Sequence, residues 1–592
     1  MNPYLKLAIA LVVYVAVGHK ILRKAFRNIK NGQVFDENFL MVVATFGALA
    51  MGEYLEAISV MVLYRIGEYF QDKAVAKSRR SIADLMDIRP DYANIEGENG
   101  ELQQADPEDV EVGTVITIKP GERVPLDGII EEGESRLDTA ALTGESMPRT
   151  VEEGDEVYSG TINLNGLLKV RVTKSCDEST ATRILELVEE AAENKGKAEQ
   201  FITRFARFYT PIVCACALLL AVIPSLATGN WATWVHRALI FLVVSCPCAL
   251  VISVPLSFFA GIGGASSKGV LIKGGNYLEA LAKADTMVFD KTGTLTKGVF
   301  SVVAIHPEQV TEDELLDLAA AAESYSDHPI SHSLAQAYQT RAQKEIDRNR
   351  VKDLEEHSGK GIVANVDGKH VACGNARLME QEGVVCRECD TPGTIVHVAA
   401  DGVYAGHIVL ADVVKDDARS AIAALKSLGI SRTVMLTGDK KEIAEHVAND
   451  LGLDAYYAEM MPQDKVAKVE ELIASKGEGK IVAFAGDGIN DAPVLSRADV
   501  GIAMGSMGSA AAVEAADIVL MNDKPSDVAL AVRIARKTMR IIYENIGFSI
   551  GIKVLVLILA AFGYANMWLA IFADVGVCML AILNAMRALR IE

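Results

Sequence analysis

Two thiols, Cys246 and Cys248, flank Pro247 in the stretch FLVVSCPCALVISVPL (241–256), inside an apolar run from Ala238 to Gly261 that carries no charge. Proline removes a backbone donor and clashes with the preceding helical turn. A helix in lipid is therefore expected to unwind there and turn both thiols towards one interior site. Thiolates suit Zn²⁺, Cd²⁺, Pb²⁺ or Cu⁺, although cysteine is also a common buried apolar residue. Two charges lie in other apolar runs, Lys553 in GIKVLVL and Asp574 in IFADVGV. Charge in lipid is costly and faces a site or a partner. Asp574 would add an oxygen ligand beside the thiolates, and Lys553 would neutralise surplus negative charge or displace the metal. Cys214 and Cys216, a Cys-X-Cys in a further apolar run, are expected to pack. Cys386-X-X-Cys389 has metal-like spacing but no second pair, so a structural or incidental role is expected.

A second constellation suits phosphoryl chemistry. Asp290 ends the apolar stretch TMVFD and opens DKTGTLT. A carboxylate at a strand end, followed by hydroxyls and glycine, suits a nucleophile attacking a phosphoryl group. Thr437 and Lys465 can hold the transferred oxygens, and Asp487 and Asp491 in GDGINDAP can hold Mg²⁺ with Asp290. Catalysis of this kind is mostly positioning and charge neutralisation. Asp and Thr are also plain turn formers, but four such elements in order along one frame argue for the chemistry. The layout resembles haloacid-dehalogenase-like phosphatases, which usually carry an acid/base Asp two residues after the nucleophile. Here that residue is Thr292. An acyl phosphate without its own base should persist, which calls for a second group for hydrolysis. Glu145 in TGES is the candidate; a solvated turn glutamate is the plain alternative.

The elements that must position these residues are of two kinds. Half of the 592 residues are hydrophobic, yet 23% are charged, and mean hydropathy is +0.22. Long apolar segments beside soluble domains give that mixture. The net charge of −20 argues against a nucleic-acid partner, and nine cysteines without a secreted pattern argue against a disulfide framework. Apolar runs near 3–19, 39–51, 54–70, 209–228, 238–260, 545–563 and 567–586 give seven expected spans. The second and third form a hairpin turning near Gly52. Lys and Arg cluster after the first and third spans, before the sixth and after the seventh, which puts 72–200 and 267–535 in the cytoplasm. Met1 then falls outside without an export signal, so a missing upstream span is expected. Segment 72–200 reads as a small β domain of short Val/Ile/Thr runs. Segments 267–299 and 409–535 alternate strand and helix, as in a doubly wound parallel sheet with chemistry at the strands' carboxyl ends. Residues 300–408 interrupt that alternation and read as an inserted domain with its own sheet.

DKTGTLT, TGES, TGD and GDGINDAP together resemble the P-type ATPases, over nearly the whole chain. The resemblance implies a multidomain membrane protein. Its parts would be a helical transmembrane bundle (1–71, 201–266, 536–592), a β actuator domain (72–200), a doubly wound α/β haloacid-dehalogenase-like phosphorylation domain (267–299, 409–535) and an inserted α+β nucleotide domain (300–408). It implies an aspartyl-phosphate cycle with alternating access, ATP and Mg²⁺ as requirements, and catalytic roles for Lys291, Thr292, Thr143, Gly144, Gly438 and Asp439 beside the residues above. Mg²⁺ would lie at Asp290, Thr292 and Asp487. ESYSDHPI (323–330) and SGKGI (358–362) resemble the nucleotide pocket of the heavy-metal branch, with Glu323 and His328 on the adenine side. Gly359, Gly361 and Gly374 would admit ATP closely. Cys-Pro-Cys with Lys553 and the DVG stretch resembles zinc/cadmium/lead exporters; the copper exporters' Asn, Tyr, Met and Ser set is not seen around 545–586. Glu56 then becomes a candidate on the exit route. Glu68 lies either at the pathway's inner end or in an ion pair with Arg65. The location implied is a bacterial plasma membrane, with the catalytic domains cytoplasmic and with metal ion and lipid as partners. A Cu⁺ exporter is the alternative, and a membrane-tethered phosphatase a more distant one. Most relatives carry a metal-binding domain before the spans, and none is seen here.

Overall fold

The computed structural model describes residues 3–30, 37–85, 90, 92–96, 101–139, 148–183, 197–245, 248–326, 328–357, 359–387, 389, 393–487, 491–505 and 510–590. The backbone alone is described at 3–4, 37–38, 70–71, 74–85, 197–208, 248, 329, 510–512 and 567. The chain divides into two compact units, Met1–Lys283 with Ala531–Glu592, and Ala284–Leu530.

The first unit combines apolar helices with a β domain. Among the described residues, five helical segments are long and apolar enough to cross a membrane: Leu5–Lys30, Tyr209–Thr228, Trp231–Ser266, Pro525–Phe562 and Trp568–Leu589. The sequence predicts seven spans, and the difference lies in the hairpin. Its legs are helices Glu37–Ala50 and Tyr54–Leu85, joined at Met51–Glu53 where Gly52 takes φ +87°. The first leg has 14 residues, about 21 Å at 1.5 Å per residue, against about 30 Å of hydrocarbon. The second has 32 residues, but its last half is polar. Gly67 lets this helix approach Val575 closely: a Cβ at Gly67 would fall 2.4 Å from Val575 Cγ1.

The run holding Cys246 and Cys248 is described on either side of Cys246 and Pro247. Helix Trp231–Val244 is capped at Ser245, and helix Cys248–Ser266 is described from Cys248 on. Cys246 and Pro247 lie outside the described residues, as does the side chain of Cys248.

The β domain has a six-stranded antiparallel sheet and a separate sheet of three strands. Strand Leu168–Val172 shows the expected alternation, with Leu168, Val170 and Val172 buried and Arg171 exposed. The TGES residues Thr143, Gly144 and Glu145 lie outside the described residues.

The second unit contains two sheets. In the first, parallel strands Ile518–Leu520, Val500–Met504, Ile481–Gly486, Ala284–Asp290, Arg432–Leu436 and Ala455–Tyr457 lie side by side in that order. Their near-continuous apolar text, such as Met287, Val288 and Phe289, is buried, as a parallel sheet covered on both faces requires. Helices Ala418–Ser427, Lys441–Leu451 and Pro462–Ser475 supply the crossovers. The second sheet is antiparallel and six-stranded, from Thr296–Pro307 through Val403–Val414, Thr394–Ala400, Lys369–Gly374 and Gly361–Val366 to Val351–His357. Helices Glu312–Ala322 and Pro329–Ala342 pack on one of its faces. The chain leaves the parallel sheet along Thr296–Pro307 and returns along Val403–Val414, and the two strands pair from Thr296↔Val414 to Pro307↔Gly406.

Candidate functional site

The parallel register aligns the ends that the sequence singles out. Asp290 pairs with Leu436 and Phe289 with Ala485, so Thr437 and Asp487 each emerge one position past the sheet, on either side of Asp290. Lys465, from helix Pro462–Ser475, reaches over this edge. Its Nζ donates to Asp290 Oδ1 at 2.5 Å and to Asp491 Oδ1 at 2.9 Å. Asp290, Asp491 and Thr437 are all buried. Burial and the neighbouring Asp491 push the Asp290 carboxyl up to about 7, with Lys465 opposing. Asp491 is raised too, mainly by burial. Three carboxylates with one shared ammonium leave surplus negative charge, and hard oxygen donors of this kind fit Mg²⁺.

The loop after Asp290 needs its glycine. Gly293 has φ +74°, and a Cβ there would lie 3.2 Å from Asp487 Oδ2. Thr292 is exposed beside it. Lys291 turns inward to a close ion pair with Asp439, with Asp412 at 3.8 Å. Thr437 Oγ1 accepts from the Asp439 amide at 3.1 Å. Gly438 follows Thr437 in the same turn, where a Cβ would fall 3.3 Å from the Met460 carbonyl oxygen.

Sequence reasoning missed Asp412 and Lys415. Asp412 accepts from Thr296 Oγ1 at 2.5 Å and from the Gly298 amide at 3.0 Å, joining the strands that leave and return. Lys415 Nζ donates to the Gly293 carbonyl at 2.8 Å and to Asp523 at 2.5 Å. It therefore holds the loop after Asp290. Both lie in LADVVKDDAR (410–419), where acids and a lysine at a strand end are a signal comparable to that around Asp439.

The inserted sheet carries a cavity of about 270 Å³ lined by Glu323, His328, Gly359, Gly361 and Gly374, together with Thr394 at its sheet edge. All five residues expected at the nucleotide meet there. The volume suits a purine base better than a whole nucleoside triphosphate. Gly361 and Gly374 face one another across paired strands; a Cβ at either would fall 2.3 Å from a carbonyl oxygen of Cys373 or Lys360. Glu323 is buried, accepts from Ser331 Oγ at 2.5 Å, and is raised by burial. His328 Nδ1 accepts from the Ile330 amide at 3.2 Å and caps helix Pro329–Ala342.

Among the apolar helices, Lys553 and Asp574 are both buried and 3.1 Å apart. Lys553 Nζ also donates to the Val244 carbonyl at 3.2 Å. Val244 is the last residue of helix Trp231–Val244, and carbonyls at a helix end lose their intrahelical partners. Asp574 lies in a π-helical turn, Phe572–Gly576, a local widening common at functional positions. Glu56 lies 3.9 Å from His236 Nδ1. Glu68 makes an ion pair with Arg65, one of its two alternatives, and a second with Lys24 at 2.5 Å.

Comparison with known proteins then decides the family. Residues 87–189 match the P-type ATPase actuator domain, and residues 284–499 match the haloacid dehalogenase-like hydrolases. The chain is 53% identical to the cadmium, zinc and cobalt-transporting ATPase of Bacillus subtilis (strain 168), over 98% of this chain and 82% of that one. It is 51% identical to the zinc-transporting ATPase of Synechocystis sp. (strain ATCC 27184 / PCC 6803 / Kazusa), over 98% and 80%. The chain belongs to the metal-transporting P-type ATPases. A solved crystal structure of a zinc-transporting PIB-type ATPase superposes with TM-score 0.62 at 36% identity, covering 100% of this chain and 96% of that one. A second crystal structure of a zinc-transporting PIB-type ATPase, in a different state, gives 0.57 at 36%, covering 98% and 94%. As a P-type ATPase it is an enzyme and a multi-pass membrane protein, and the family uses ATP and Mg²⁺.

Proposed function

We propose that this P-type ATPase exports Zn²⁺ and Cd²⁺, and chemically similar Pb²⁺, from the cytoplasm across a bacterial plasma membrane. The observation that carries the ion class is the Lys553–Asp574 pair, anchored on the carbonyl of Val244, two residues before Cys246 in the chain. Two thiolates with one carboxylate suit a borderline-soft divalent ion better than Cu⁺, which gains little from a hard oxygen. With metal bound, Asp574 turns from Lys553 to the ion; Lys553 then competes for the same carboxylate and favours release. Glu56 and Glu68 are the carboxylates proposed along the route.

The catalytic proposal assigns each residue a task. Glu323, His328 and the glycines 359, 361 and 374 hold the nucleotide. Asp290 attacks the γ-phosphorus of ATP; the new bond is an acyl phosphate, and ADP departs with the electron pair of the broken bond. Thr437 and Lys465 hold the transferred oxygens, while Lys291, Gly438 and Asp439 fix the surrounding loops. Mg²⁺ at Asp290, Asp487, Asp491 and the Thr292 position would neutralise charge on the phosphoryl group. Glu145, with Thr143 and Gly144 of the same TGES motif, takes the proton from the water that hydrolyses the acyl phosphate. The test is ATP turnover of purified protein titrated with Zn²⁺, Cd²⁺, Pb²⁺ and Cu⁺. Stimulation by the divalent ions and not by Cu⁺ is expected; stimulation by Cu⁺ alone would overturn the assignment.

A further inference from the structure

The inserted sheet holds a cluster that neither nucleotide binding nor phosphoryl transfer uses. His306, His407 and His397 lie opposite one another on three neighbouring strands, in the registers His306↔His407 and His397↔His407. The rings of His306 and His407 have centroids 4.8 Å apart. Ile305 and Ile408, the chain neighbours of two of them, pack towards the helices. Because strand side chains alternate, the histidines occupy the other face of the sheet. Cys389 approaches that face from the loop after Cys386. Ligand atoms of His306, Cys389 and His407 all lie within 4.8 Å of one another.

Two details point to a ligand rather than to packing. His407 is 6% exposed, and its Nε2 is buried without a hydrogen-bond partner. A buried ring nitrogen left so is costly unless something binds it. Its other nitrogen, Nδ1, bonds to the Tyr404 hydroxyl at 3.1 Å, and Tyr404 bonds in turn to His397 Nδ1 at 2.8 Å. That is how metal-ligating histidines are oriented, with the far nitrogen fixed by an outer partner. Arg387, between the two cysteines, pairs with Glu308 at 2.8 Å and ties the cysteine loop to the end of the strand bearing His306.

We propose that His306, His407 and Cys389 form a second metal site, for a borderline-soft divalent cation of the Zn²⁺ class, on the face of the inserted sheet away from its helices. Two nitrogens and one thiolate, with water in the fourth position, make an ordinary tetrahedral set. Tetrahedral bonds of about 2.0–2.3 Å put ligand atoms about 3.3–3.8 Å apart, so the cluster needs to close by about 1 Å. Tyr404 is a positioning residue, acting through His407. The next strand in the sheet carries Thr394, which lines the nucleotide cavity, and His397, which is paired with Gly374 of the same cavity. Metal binding here would therefore stiffen one wall of the nucleotide site.

The test uses the full-length protein in detergent with Cys246→Ser and Cys248→Ser, so that the thiolates proposed for transport are absent. Zn²⁺ binding is measured by equilibrium dialysis and by the shift in Tm. One equivalent is expected, weakened at least about tenfold by Cys389→Ser and about tenfold by Tyr404→Phe. Without metal the three chains should melt alike, which excludes misfolding. Co²⁺ should give a thiolate charge-transfer band that Cys389→Ser removes. Equal Zn²⁺ binding and equal Tm shifts with and without Cys389 would overturn the proposal. Because the readout is the difference between two chains, it stands whichever residues hold the transported ion.

Discussion

Lys465 shares its ammonium between Asp290 and Asp491, and the balance there is narrow. Asp290 is already pushed up to about 7 by burial and by Asp491. Removing the cation raises it further, so the nucleophile would be protonated at neutral pH. Lys465→Ala should lower the rate of phosphoenzyme formation about 100-fold or more, with partial recovery as pH rises, measured by rapid quench across a pH series. A pH-independent loss would mean that Lys465 acts only on the phosphoryl oxygens. Glu323 makes the opposite kind of prediction. Its folded-state carboxyl is raised above 4.5 by burial, so the native protein binds more protons than the unfolded chain between 4.5 and that raised value. Stability therefore falls as pH rises through this window and stays lowered above it. Glu323→Gln mimics the protonated form. It should raise Tm at pH 8 and leave it nearly unchanged near pH 4.5, while weakening ATP about tenfold by loss of a charged acceptor. Melting scans at two pH values and nucleotide titration check both signs.

Elements explain why some of these residues are legible in the sequence and others are not. Asp290, Thr437 and Asp487 each end a short apolar strand, a local pattern that needs no tertiary information. Gly293 belongs to the same pattern: Gly293→Ala should cost about 1–2 kcal/mol for a left-handed residue, crowd Asp487 and slow phosphorylation, read by denaturant melts and acid-stable phosphoenzyme. Asp412 and Lys415 act on residues more than 100 positions earlier, through the pairing of two long strands that no window of sequence reveals. The same strands hide the histidine cluster. Cys386-X-X-Cys389 reads as incidental because His306 and His407 come near Cys389 only through register. In the membrane helices, the charge–break relation is legible as Pro247 with Lys553 and Asp574. That Lys553 bonds to the carbonyl of Val244 as well as to Asp574 is not. Asp574→Ala should therefore weaken divalent stimulation more than any Cu⁺ response, measured by ATP turnover; equal losses would remove Asp574 from the ion site.

At the scale of the molecule, the motif order along the chain is sufficient to imply the domain set, because each P-type motif is short and specific. The number of spans is less legible. A 14-residue apolar leg and a half-polar 32-residue leg read as two spans by hydropathy alone, whereas helix length and polarity separate them from the five long apolar segments. The account as a whole holds that energy from ATP reaches the metal only by way of the carboxylate at 290. Uptake of radiolabelled Zn²⁺ into inverted membrane vesicles, comparing the wild-type chain with Asp290→Asn at equal expression, tests this most directly. The account predicts ATP-dependent uptake by the first and none above background by the second. ATP-dependent uptake at the wild-type rate by the Asn variant would contradict it.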